Sequence, residues 1–170
     1  MKQQFVNDAL QKFAKTVITQ SRANLTRQKK NVDKKLYNSL SYDLNVSQNS
    51  FSLALLMDKY GDFQDKGVSG NEIKYNTPYS FRDKMPPVQP LAEWAKKRRI
   101  RLRDEQGRFT RGDYKTIGFL IARSIKRKGI KPSLFFTKPF EKHFQNLPDE
   151  IIEAFALDIE QFLTFTRDDI

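Results

Sequence analysis

Residues 36–57 read LYNSLSYDLNVSQNSFSLALLM, and their period decides the fold. Leu36, Leu40, Tyr42, Leu44 and Val46 alternate with Tyr37, Ser39, Ser41, Asp43 and Asn45, and only Asn38 interrupts the apolar series. Successive side chains of a strand point to opposite faces, so a period of two marks a strand with one buried face. The polar turn Ser47-Gln48-Asn49-Ser50 leads into Phe51–Met57, where Phe51, Leu53 and Leu55 repeat the period and supply an antiparallel partner. The stretch predicts a hairpin.

Upstream, Phe5, Ala9, Phe13 and Val17 fall four apart with Val6, Leu10 and Ile18 alongside, the stripe of an amphipathic helix from Lys2 to about Gln20. The basic stretch Ser21–Lys35 either extends this helix as a solvated arm or ends it. Downstream, Asp58–Gly70 reads DKYGDFQDKGVSG. Its glycines are spaced G-x5-G-x2-G, which matches neither nucleotide-binding pattern, and Lys66 precedes Gly67 instead of following it. Asp58, Asp62 and Asp65 add negative charge where phosphate would have to approach, so a structural turn is preferred to an anion site. In that turn Tyr60 and Phe63 are expected to anchor the exit of the second strand on the core, with Gly61, Gly67 and Gly70 bending the backbone. Gly67→Val is then expected to damage assembly more than solubility.

Asn71–Pro90 carries Pro78, Pro86, Pro87 and Pro90 with little periodicity, a long loop of the kind that is often functional. A short helix is expected near Pro90 with Leu91, Trp94 and Ala95 on one side, followed by a polar, glycine-containing turn or hairpin. Ile117, Leu120, Ile121 and Ile125 predict a helix over Tyr114–Lys128, with Asp113 as N-cap and Gly129 as its stop. Pro132 bars helix in Ile130–Phe136, so Leu134–Phe136 is expected to return as a third strand. A short helix follows from Pro139, with Phe140 and Phe144. A last one opens at Pro148 and carries Ile151, Phe155, Leu157, Ile159, Phe162 and Leu163. The fold class expected is α+β: a small antiparallel sheet, hairpin plus third strand, packed against the 114–128 helix, with a long Pro-rich loop. A single domain is expected over 1–170, divided into an N-terminal helix and basic arm (1–35), an α+β core (36–136) and C-terminal helices (137–170).

Composition narrows function more by exclusion than by motif. The 170 residues hold no cysteine, which removes disulfides, thiolate nucleophiles and Cys-ligated zinc. The one histidine, His143, has no nucleophile or ligand partner at usable spacing and reads as a boundary residue. No enzyme signature, cofactor or metal site is expected. The N-terminus lacks the apolar core of a signal peptide. The apolar runs Phe51–Met57 and Ile117–Ala122 fall well short of the roughly 18 residues of a spanning helix, so a soluble, unprocessed chain with no membrane partner is expected.

Charge is the positive signal: 31 Lys and Arg face 20 Asp and Glu, a net of +11. Lys96, Lys97, Arg98, Arg99, Arg101 and Arg103 form one cluster. Arg123, Lys126, Arg127, Lys128 and Lys131 form another. Either could neutralise phosphates without reading bases, contact an acidic partner, or simply be solvated. Asp149–Ile170, by contrast, sets seven acidic residues against Arg167, a local net of −6 that leaves +17 on the preceding chain. Basic and acidic faces of neighbouring copies could therefore meet each other.

The order of parts, with Tyr60-Gly61, Phe63, Asp65-Lys66-Gly67-Val68, Trp94-Ala95 and IKRKGIKP (Ile125–Pro132) before an aromatic pair, resembles the neck and tail-completion (head-tail connector) proteins of tailed bacteriophages. The resemblance runs from about Lys35 to Phe136. It implies a non-enzymatic α+β virion subunit, assembled in the host cytoplasm into a homo-oligomeric ring below the portal. Such a ring touches portal or adaptor and tail proteins and has packaged DNA passing through its lumen. On this reading Tyr60, Gly61, Phe63, Gly67, Val68 and Trp94 belong to a subunit or partner interface. Lys96, Lys97, Arg98, Arg99, Arg101, Arg103, Lys126, Arg127 and Lys128 contact DNA or an acidic partner. The Arg-rich insertion at 96–112 is longer than the family pattern requires. A sequence-nonspecific nucleic-acid-binding module is the alternative.

Overall fold

The computed structural model describes residues 3–47 and 50–168, with the side chains of residues 163 and 165–168 outside that description. Its described residues form an α+β structure of seven helices and one two-stranded antiparallel sheet. In chain order these are α1 (Gln4–Arg27), α2 (Lys35–Ser39), β1 (Ser41–Ser47), β2 (Ser50–Leu56), α3 (Tyr60–Lys66), α4 (Val88–Lys97), α5 (Tyr114–Lys128), α6 (Thr137–Phe144) and α7 (Leu147–Asp168). Where the sequence suggests a single domain, the chain divides into two compact units. One is built from the segments up to Asp58 and from Phe135; the other runs from Lys59 to Leu134.

The first unit is organised by α1. Val6, Leu10, Phe13, Ala14, Val17, Ile18 and Leu25 lie on one buried stripe, so the helix continues through the basic arm to Arg27. Each fully buried Leu or Val on that stripe contributes about 1.5–3 kcal/mol. Leu147 and Ala154 of α7, Phe140 of α6 and the inward residues Leu44, Val46, Leu53 and Leu55 of the hairpin pack against it. The hairpin register pairs Leu44 with Leu53 and Tyr42 with Leu55, and its outer face is polar except for Ala54 and Leu56. Of the expected turn, Gln48 and Asn49 lie outside the described residues, while Ser47 and Ser50 hydrogen-bond across it.

Two helix ends in this unit are finished by unusual means. The start of α1 has no cap of its own. Instead the carboxylate of Asp158, on α7 and 1% exposed, accepts the N–H groups of Phe5 and Val6 at 3.1 Å each. A carboxylate at this end satisfies two orphan donors and suits the helix dipole. At the other end Lys29 adopts φ +56°, and the Lys29 and Lys30 N–H groups return to the Thr26 and Leu25 carbonyls. That is a Schellman turn with lysine where glycine is usual.

The second unit has a thinner interior. Its buried apolar residues are Val68, Ala92, Ala95, Ile117 and Ala122. α4 and α5 approach closely because residue 118 is glycine: a Cβ there would lie 2.8 Å from both the Ala92 nitrogen and the Val88 oxygen. Asp113 caps α5 as the sequence predicts, accepting the Thr116 N–H at 2.8 Å. Segment 71–87 is irregular and tied down at its start and its middle. The Asn71 and Glu72 N–H groups bond the Lys126 and Arg127 carbonyls, and Ser69 exchanges bonds with Tyr79 and Phe81.

Several expectations need correcting. β1 starts at Ser41, because Leu36 and Leu40 are four apart and both buried, a spacing that a helical turn satisfies as well as a strand. The stretch 58–70 is not all turn: Tyr60–Lys66 is α3, and Gly67 at φ +76° ends it. No third strand forms at 134–136. Leu134 takes φ +50°, and Phe135 is fully buried among Ile18, Leu25, Leu36 and Leu40 as a core side chain. The extended residue in that return is Ile130, which pairs with Val68. The hairpin packs on α1, whereas α5, the helix expected beneath it, packs on α4. On α4 the buried residues are Ala92 and Ala95, while Trp94 is exposed.

Candidate functional site

The residues expected at an interface divide by location. Tyr60 and Phe63 are each 42% exposed, so they do not anchor a strand exit in the core. They line an apolar hollow of about 610 Å³ together with Val68, Tyr79, Phe81 and Ile130. Phe63 meets Tyr79 edge-on at 4.6 Å, and the Tyr79 hydroxyl donates to Asp62, which fixes that wall. Gly61 is buried within α3, and Gly67 is backbone support: a Cβ there would meet the Ile130 oxygen at 2.6 Å and Pro132 at 2.7 Å. Trp94 is not part of the hollow; the Arg98 guanidinium lies over its ring at 5.9 Å.

The first basic cluster also splits. Lys96 and Lys97 close α4, Arg98 is its C-cap, and Arg99 adopts φ +54°. The Arg99 and Ile100 N–H groups return to the Lys96 and Ala95 carbonyls, a second Schellman turn without glycine. Beyond it, residues 102–110 form a small hairpin-like loop, with Arg103 bridged to Phe109, Thr110 N–H bonded to the Leu102 carbonyl, and Asp104 accepting from the Arg108 backbone and side chain. On its returning arm Phe109, 60% exposed, carries the Arg103 guanidinium at 4.3 Å and that of Arg101 at 5.7 Å. An exposed ring flanked by two guanidiniums can stack on a planar group while neutralising phosphate.

In the second cluster two cations are occupied within the chain. Arg127 makes a two-pronged ion pair with Glu72 at 2.7 and 3.1 Å, and Lys126 donates to the Asp83 carbonyl at 3.1 Å. Hydrogen bonding from Arg127 holds the Glu72 carboxyl below its usual value, and Glu72 in turn raises Arg127. Lys128 and Arg123 are exposed on α5. Among the described residues no group of His, Asp and Glu could hold a metal ion, and no helix is long and apolar enough to cross a membrane. His143 lies on α6, half-buried.

Three surfaces escape the sequence reading. Tyr79 and Phe81 sit in the Pro-rich loop, where no period marks them. Phe109 lies in GRFTRG, where an aromatic inside a basic turn is the available signal. The third lies on α7. α7 buries Leu147, Ala154 and Asp158 and half-buries Ile151, yet Ile152, Phe155, Leu157, Ile159 and Phe162 remain exposed, Ile152 at 67%. Ile152 also forms the rim of a second apolar hollow of about 720 Å³, walled by Phe51, Leu53, Phe140, Phe144 and Leu147. The signal was an apolar content too large for one helix face. No family model, curated protein or solved structure matches the chain.

Proposed function

We propose that the protein is a structural virion subunit of a tailed bacteriophage, one copy of a ring in the head-tail connector that extends the portal channel and receives the tail. The observation that carries this reading is the amount of apolar surface left uncovered on both units: the α7 residues and Phe51 on the first, and Tyr60, Phe63, Phe119 and Leu120 on the second. Large exposed apolar patches mark association surfaces, and a ring subunit needs two unlike patches, one for each neighbour. The basic excess suits a subunit that lies close to DNA or to acidic neighbours. Negative-stain images of the purified protein with its portal neighbour test the reading. Rings stacked on the portal are expected; a monodisperse monomer that never joins it would contradict the proposal.

A second reading, a sequence-nonspecific nucleic-acid-binding module, draws support from the exposed Phe109 ring beside Arg101 and Arg103. Titrating duplex and single-stranded DNA against salt separates the two. A steep salt slope that flattens in Arg101→Ala/Arg103→Ala, and again when Lys96, Lys97, Arg98 and Arg99 become Ala, favours the module.

A further inference from the structure

We infer that the uncovered stripe of α7 docks onto a second copy of the chain, and that it seats on the outer face of that copy's α5. Ile152, Phe155, Ile159 and Phe162 recur at intervals of three and four, so they form one seam along the helix. At 3.6 residues per turn the seam runs roughly a quarter-turn round from the residues buried against α1. Asp149, Glu153 and Glu160, all exposed, form the next stripe. The seam is therefore apolar with an acidic edge.

α5 offers the counterpart. It turns Ile117, Gly118 and Ala122 inward and leaves Phe119 and Leu120 exposed at 46% and 43%, with Lys115 and Arg123 exposed beside them. Phe119 stands in line with Lys115 and Arg123, one turn from each, with Leu120 alongside, so this face is an apolar pair set on a basic row. The α7 seam spans about 15 Å and α5 about 22 Å at 1.5 Å per residue, so one helix can lie along the other. Charge selects the occupant: residues 149–170 carry −6 and the rest of the chain +17, so α7 finds its electrostatic complement on another copy of this chain. Pairing α7 with α7 would bring acidic edges together. An α7-to-α5 contact uses unlike patches, so it propagates to a ring or a filament. The inference deepens the ring-subunit reading and rests on it for the choice of a second copy as occupant.

Two variants test it. Ile152→Ser/Phe155→Ser disables the seam and Phe119→Ser/Leu120→Ser disables the acceptor; all four positions are exposed, and circular dichroism checks that the helices persist. Each variant alone is expected to sediment as a monomer, with self-association weakened about a hundredfold, at about tenfold for each anchor. Mixed one to one, they are expected to form a dimer and nothing larger, since each retains one working surface. If the acceptor variant assembles like the parent, or the mixture stays monomeric, the inference is overturned. Glu153→Lys/Glu160→Lys, which leaves the apolar seam intact, is expected to block assembly and to be rescued by Lys115→Glu/Arg123→Glu in the partner; absence of rescue also overturns it. Rings that survive loss of the seam would sink the contact and leave the ring reading standing. Filaments built through the seam that never join a portal would sink the ring reading and leave the contact.

Discussion

The two units of this chain are stabilised by different means. The first has a continuous apolar interior of large side chains around α1, closed by α6, α7 and the inner face of the hairpin. The second has few large buried side chains. Its order comes from close backbone approach and from fixed polar links: Gly118 against α4, Gly67 against Ile130, and Glu72 against Arg127. A core built on volume loses stability gradually as atoms are removed, whereas one built on close approach fails when atoms are added.

The largest effect expected is therefore Gly67→Val. The added atoms would meet the Ile130 carbonyl and Pro132, at a backbone angle that valine does not tolerate, so a loss of about 4 kcal/mol or more is expected. Hydrogen exchange should show faster exchange at Val68 and Ile130 while α1 stays protected. This revises the expectation from sequence, because the substitution strikes the unit's own fold before it reaches any assembly. Leu10→Ala should come next, at about 2–5 kcal/mol in denaturant unfolding, since it opens a cavity beneath α7 and the hairpin. Equal damage by Leu10→Ala to both units would break the comparison.

Asp158→Ala should cost about 1–3 kcal/mol by stranding the Phe5 and Val6 N–H groups, with exchange rising first at the start of α1. Arg99→Gly should do the opposite and stabilise the second unit by about 1 kcal/mol, because glycine tolerates the left-handed backbone that arginine adopts there. Thermal melting checks both signs. The smallest effect is acid sensitivity of the second unit. Hydrogen bonding from Arg127 depresses Glu72, and hydrogen bonding from Thr116 depresses Asp113. The stabilisation they supply is present above their unfolded values, near about 4, and disappears as pH falls through the lower folded values. Glu72→Gln/Asp113→Asn should flatten the decline of the second unit's melting temperature in that range.

The sequence was most legible where one principle acted alone. The stripe of α1, the hairpin from Ser41 onward, and α5 with its Asp113 cap all follow from period and capping chemistry. It misled where two periods coincide, as at Leu36 and Leu40, which fit strand and helix equally, and where aromatics serve as core side chains, as at Phe135. Asp158 could not be read as a cap for a helix some 150 residues away, because the link is purely tertiary. Among the candidate interface residues, Tyr60, Phe63 and Val68 do share one hollow, while Gly61 and Gly67 are internal support. The divided duty of α7, one face inward and one outward, is encoded only as a surplus of apolar residues.

Native mass spectrometry of the 170-residue chain, taken across a range of salt and protein concentration, tests the central claim most directly. A ring subunit predicts one closed assembly of fixed copy number. A monomer at every concentration, or a continuous ladder of open oligomers, would contradict it.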